Sequence, residues 1–412
     1  MNRLFVSLAA FAAIAVSAGA QVPAPAPTPP AVSPPIDTSY VEYRESWITL
    51  PLGIGFRIPS YNRVDGAVIP WGPKISLADE RIEIDPTIAY RSHIGKIDPF
   101  VLFKARTREP LGIGVELAGG RGTFTNDAWI RSDIVNSLAA LFVGSDSRNY
   151  FRSDRYWGFV SKEIGFTHGT LTPAVGARFE DDWSTGVPVR HTNAPWSMFG
   201  KTDTLKMRRT NPSIDEGRIN SGLGRVVGEY EREGVKGSFE GLFERSFKTP
   251  VRHIVTNGIP IANTTDADFT QVTLHAVFGF PTFRTQRFDF RGHTVLTNGY
   301  QTPRQRFAYL GGAGTLATVD LLALGGDKLF FAEGTYSVPL ERVLLPVVGS
   351  PIVSLRYAAG SAGSGDLPDF IQNIGLGLGV KMLKVEYHMD PNYKKTSFTH
   401  KTAFAVSLDL AL

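Results

Sequence analysis

Leu310-Gly311-Gly312-Ala313-Gly314-Thr315-Leu316, followed by Gly325-Gly326-Asp327-Lys328 and then Leu329 through Leu340, is the stretch whose reading decides the fold. From Phe330 its residues alternate strictly. Phe330, Ala332, Gly334, Tyr336 and Val338 point one way, and Phe331, Glu333, Thr335 and Ser337 the other. That is a strand with one apolar and one largely polar face, entered from a glycine-rich connection. The same period recurs along the chain. Ile82, Ile84, Ile88 and Tyr90 alternate with Glu83, Asp85, Thr87 and Arg91. Val272, Leu274, Ala276 and Phe278 alternate with Thr273, His275 and Gly279, and Leu383, Val385, Tyr387 and Met389 with Lys384, Glu386, His388 and Asp390.

From Tyr61 to the C-terminus about sixteen such segments can be laid out. Each has roughly 9–12 residues, the length a tilted strand needs to cross a bilayer. Their polar faces carry full charges, as in Arg287, Asp289 and Arg291 opposite Phe288 and Phe290, which suits a water-filled lumen better than a dry core. Phe404, Val406, Leu408, Leu410 and Leu412 close the chain as one last apolar face. The expected fold class is all-β, a transmembrane antiparallel β-barrel of about 16 strands. Arg287, Asp289, Arg291, His275 and Glu386 are its candidate lumen-lining residues.

The flanking composition agrees with export. Asn2 and Arg3, an apolar run from Leu4 to Val16, and Ala18-Gly19-Ala20 read as a signal peptide over 1–20. Residues 21–38 are proline-rich and read as an extended linker. Residues 39–60 read as an N-terminal extended segment, with Trp47 to Ile58 either an extra strand or a segment lying inside the barrel, and 61–412 as the barrel. No stretch of the mature chain reaches the ~18 apolar residues of a spanning helix. With no cysteine, the chain has neither a disulfide framework nor a thiolate metal site. A net charge of +4 is too small to argue for nucleic acid.

The opening block resembles the loop and following strand near the C-terminus of the Omp85 (bacterial surface antigen) outer-membrane barrels. The family loop and partner-strand positions are Gly311, Gly312, Gly314, Phe331 and Glu333. Ile374 to Asp390, Tyr61-Asn62-Arg63-Val64-Asp65-Gly66 and Asn211-Pro212-Ser213-Ile214-Asp215-Glu216-Gly217 are similar to the same group. The resemblance implies a barrel in the bacterial outer membrane, in contact with its lipid bilayer and dependent on barrel-assembly machinery during biogenesis. It also leaves room for an envelope protein partner. Two departures bear on function. The family's loop tip carries an Arg-Gly pair that docks against acidic and aromatic residues of the next strands, whereas this tip reads Thr315-Leu316-Ala317-Thr318-Val319-Asp320. Arg356-Tyr357-Ala358-Ala359-Gly360 also lacks the Asp the family often places just before that glycine. Both halves of the lock therefore read as lost, Glu333 is left to a wall cation such as Lys328 or Arg356 or to lumen water, and Glu333→Gln is expected to be nearly neutral. The residues between Gln21 and Tyr61 are too few for a POTRA domain, which argues against client-fed assembly.

The expected function is a pore, a lipid or solute conduit, or an envelope-complex component, without enzyme activity and without a cofactor or metal. The alternatives are a general diffusion porin and a barrel-embedded lipid hydrolase. Asp65-Gly66-Ala67 imitates a patatin-like lipase segment, but the chain has no G-x-S-x-G elbow, and Asp65 reads as structural. His275, His293 and His388 fall on polar strand faces and read as lumen lining. Asp146 to Arg155 packs charge among aromatic residues and reads as a headgroup contact or an interfacial belt. Asp133 to Val143 carries a helical apolar pattern. Strand counting puts the long connections 120–154, 184–216 and 249–266 on the periplasmic side, opposite the outer loops Ser361 to Pro368 and Pro391 to His400.

Overall fold

The computed structural model describes residues 48–108, 111–185, 211–254, 260–343, 349–380 and 383–408. The expected signal peptide and proline-rich linker lie outside them. Among the described residues, twenty antiparallel strands form one continuous sheet. Four are short pieces that continue a neighbour: Ile48–Thr49, paired with Lys74–Leu77 as Ser60–Asn62 is with Gly66–Trp71, then Lys74–Leu77 beyond Gly66–Trp71, Ile164–Phe166 beyond Phe151–Lys162, and Thr249–Ile254 beyond Val235–Phe247. Sixteen wall positions remain. The fold is the transmembrane antiparallel β-barrel that the two-residue period predicts.

The alternation has a physical reason. Each strand sends apolar residues to an outer face with no protein against it and smaller or charged residues inward. Phe404, Leu376 and Val175 are 79%, 60% and 68% exposed on the outside, whereas Glu386 and His388, inward on Leu383–Met389, are 4% and 0% exposed. Exposed apolar side chains on this scale mark a lipid-facing wall. In the register of Arg287–Gln301 with Lys328–Pro339, Arg291 stands opposite Glu333 and Phe290 opposite Gly334, so charge meets charge on one face only.

The antiparallel order assigns the connections to ends. Those at 125–150, 184–214, 302–327, 364–370 and 390–401 all join strands at one end, here the loop end. The short links near Asp79, Phe283 and Leu340 lie at the other, the turn end. This corrects the strand count made from sequence, which set the early long connections apart from the C-terminal ones. The described residues of the stretch 249–266, namely 249–254 and 260–266, are strand rather than loop. Thr249–Ile254 pairs with both Asp215–Arg232 and Pro260–Pro281, extending the wall. Of the stretch Trp47 to Ile58, the described residues 48–58 run along the first edge of the sheet, where Ile48 pairs with Ile75 and Phe56 with Trp71.

The interior is filled from the loop end. Segment 125–150 folds inward and contains the short helix Asp133–Leu138, continued as one wide turn over Ala139–Val143. Segment 302–327 also folds inward. Its base is a small hairpin, Ala308–Leu310 against Leu324–Gly326. The first segment reaches the first edge of the sheet, where the Tyr61 amide donates to Ser137 Oγ at 3.1 Å. The second reaches the last hairpin, where the His400 amide donates to the Thr318 carbonyl at 2.7 Å. Contacts from one edge to the other across the interior are what a rolled sheet requires.

Candidate functional site: the lumen plug and its anchors

Apolar side chains in a glycine-rich connection are costly if they stay in water. Here Leu310, Leu316 and Val319 are 0%, 0% and 2% exposed. They pack with Val295, Leu329, Phe331, Ala358 and Ala362 on the inner wall, and Trp129 of the first segment joins the same cluster. The glycines permit the tight path. Gly311 has φ 126°, and a Cβ there would lie 2.0 Å from the Asp320 carbonyl oxygen. At Gly314 a Cβ would lie 2.5 Å from Ile130 Cγ2, so the two inward segments touch through bare backbone. Gly312 turns with φ 87° between them.

Two charged anchors hold the plug on different parts of the wall. At the first, Glu333 Oε2 accepts from Arg291 at 2.9 Å and from Arg356 at 2.5 Å. The two arginines donate onward to plug carbonyls. Arg291 reaches Ile130 at 3.1 Å and Gly314 at 2.6 Å, and Arg356 reaches Thr315 at 2.7 Å. Charge-assisted bonds of this kind are about twice as strong as neutral ones. The loop-tip arginine is absent, and Glu333 meets wall cations in its place, Arg356 and Arg291. The polarity is reversed, with cations on the wall and backbone oxygens on the loop.

The second anchor involves a loop arginine after all, at the start of the segment rather than at its tip. Arg306 Nε donates to Glu244 Oε2 and Nη2 to Glu244 Oε1, both at 3.0 Å, and Arg306 also pairs with Glu180. Arg155 and Arg178 brace the same two carboxylates. Beside it Gln305 Nε2 donates to the Asp215 carbonyl at 2.7 Å and to Asp182 at 3.2 Å. Burial and two further arginines work against the Arg306 charge, while Glu180 and Glu244 stand against it as counter-charges.

The first segment has its own polar core. Asp146 accepts from the Arg63 amide at 3.0 Å, from Asn136 Nδ2 at 3.0 Å and from the Tyr150 hydroxyl at 3.0 Å. Asn211 Oδ1 accepts from Arg63 Nη2 at 3.0 Å and from the Tyr150 amide at 2.8 Å. Thus the Tyr61–Gly66 and Asn211–Gly217 stretches meet inside the barrel. The stretch from Asp146 through Ser153 is buried there, so it forms neither an interfacial belt nor a headgroup site, although Tyr156 does face outward. Asp65 is fully buried, pairing with Arg91 and accepting from Thr123 Oγ1 at 2.8 Å. Asp98 takes both Arg152 nitrogens at 2.6 and 2.7 Å.

The remaining sequence candidates divide by depth. Arg287 and Asp289 pair at 2.5 Å near the turn end and are 48% and 40% exposed. There Arg287, Glu229, Lys236, Thr170 and Ser238 surround a cavity of about 530 Å³. Arg291, His275 and Glu386 face inward but lie against packed groups rather than open water. Trp129 stacks on His293 at 4.1 Å with His275 beside it, and Glu386 holds Lys384 at 2.8 Å. His293 and His388 are likewise buried, at 4% and 0% exposed, rather than lining an open lumen. Phe331 belongs to the plug cluster. Sequence reasoning missed Trp129, Arg306, Glu180 and Glu244. The available signal was Arg304-Gln305-Arg306, two cations immediately before an apolar loop.

No protein-family model matches the chain, and no curated protein does. Solved structures similar to it include CdiB from Escherichia coli, at 10% identity and TM-score 0.45 over 86% of this chain and 61% of that one. CdiB from Acinetobacter baumannii follows at 9% and 0.45, over 85% and 58%. The siderophore receptor PirA from Pseudomonas aeruginosa stands at 9% and 0.34, over 83% and 63%. The chain spans less than two thirds of each of these proteins' length.

Proposed function

We propose that this chain is an Omp85-like outer-membrane barrel acting as a plugged conduit for a solute or lipid, alone or within an envelope complex, and not as an enzyme. The observation that carries the reading is the inward fold of segment 302–327, with Leu310, Leu316 and Val319 seated on the inner wall. An open diffusion porin needs a continuous aqueous path, and a built-in apolar plug with two buried charged anchors works against one. A barrel-embedded hydrolase needs its nucleophile and base on the outer wall. His275, His293 and His388 face inward, which favours the conduit.

Proteoliposome flux tests this. The purified barrel is expected to pass a small sugar far more slowly than a trimeric porin control at equal protein load. Flux equal to the porin's would favour the open-pore alternative, and release of fatty acid from the liposomes would favour the hydrolase.

A further inference from the structure

Segments 125–150 and 302–327 are far apart in sequence, and nothing in their connectivity requires them to move together. Their contacts do. The Arg291 guanidinium donates to Ile130 of one and Gly314 of the other while paired with Glu333. If either segment left alone, a half-buried cation would lose a partner, and losing one partner of such a bond costs more than making the bond stabilises. Asn126 of the first segment donates to the Gln305 and Phe307 carbonyls of the second. Trp129 sits in the apolar cluster built from Leu310, Leu316 and Val319. The missing Cβ at Gly314 lets Ile130 interlock with the second backbone. Departure of one segment would therefore open a cavity, strip a cation and expose apolar surface on the other.

We infer that the two inward segments are a single mechanical body, one gate rather than two, with its joint at Ile130, Gly314 and Arg291. This deepens the plugged-conduit reading and rests on it for its functional meaning, but not for its test. Local openings of a native protein group into cooperative units visible by amide exchange. Two perturbations remote from the joint separate one body from two. Asn136 bonds only within its own neighbourhood, to Asp146, Tyr150 and Ser147. Asn373, on the wall, holds the second segment through Thr318, and its other side-chain bond among the described residues is to its neighbour Gln372.

The experiment is hydrogen–deuterium exchange by mass spectrometry on the full-length barrel in detergent, comparing the parent with Asn136→Ala and Asn373→Ala. Loss of a buried hydrogen-bond partner is expected to speed exchange at least about fivefold where it acts. One body predicts that each variant speeds peptides from 126–149 and from 308–322 by the same factor, while wall peptides such as 271–280 stay at the parent rate. Acceleration confined to the segment carrying or touching the substitution would overturn the inference. If one variant does not assemble, the other decides. Joint acceleration in a barrel that conducts nothing would leave the single-body inference standing and remove the conduit reading.

Discussion

Glu333 shows how much one residue depends on neighbours that its own sequence context hides. Its inward direction is legible from the alternation of Phe330 to Pro339. Its partners are not, because they come from two other strands through cross-strand register: Arg291 directly opposite, and Arg356 two places along from the facing Ala358. A motif comparison that looks for a cation on the loop cannot find one placed on the wall. The structure reverses the expectation of a neutral effect. Glu333→Gln leaves the buried Arg356 and the half-buried Arg291 guanidiniums sharing no counter-charge; breaking a fully buried pair from one side costs about 3–5 kcal/mol, and this partly exposed one costs less. The variant is expected to lose its folded gel mobility at a distinctly lower urea concentration than the parent, and an unchanged midpoint would show that the anchor carries no load. Arg306→Ala should behave similarly, since Glu180 and Glu244 lose their plug cation. Arg306→Lys should rescue it only in part, because one ammonium cannot make the forked contact to Glu244.

Among elements, the strands were readable and the connections were not. Period two fixes which side chains share a face, so the outward set on Arg287–Gln301, Phe288 and Phe290, follows from sequence alone. Phe288 is expected to tolerate charge poorly. Its ring lies 5.2 Å from Phe280 on the outer face, and because an arginine on the lipid face costs less toward the interface than at the midplane, Phe288→Arg near the turn end should cost about 1 kcal/mol and lower assembly yield. Arg287→Phe, on the inner face near the turn end, should assemble with parent yield, measured as the heat-modifiable fraction on gels. Equal loss in both would mean the faces are misassigned. Loops have no period to read, and one strand miscounted early flips the end assigned to every connection before the error is absorbed. That is why the count from sequence divided connections that all lie at one end. The hint available was chemical. Leu310, Leu316, Val319 and Leu322 make a connection too apolar to stay in water, and such a segment has to find a wall.

At the scale of the whole molecule, a lipid-facing wall surrounds an interior filled from the loop end, with a cavity of about 530 Å³ near the turn end. The sixteen-position wall was legible because the bilayer imposes one strand length and one alternation on every crossing. The plug was not, since its stability comes from contacts between segments far apart in the chain. The most direct test of the plugged barrel is single-channel conductance in planar bilayers, comparing the parent with a variant lacking residues 312–322. The ends of that deletion are already adjacent, because Leu310 pairs with Leu324 at the hairpin base. The account predicts a quiet parent with rare brief openings and a variant with steady, much larger conductance. A parent that already conducts steadily, or a correctly assembled variant as silent as the parent, would contradict it.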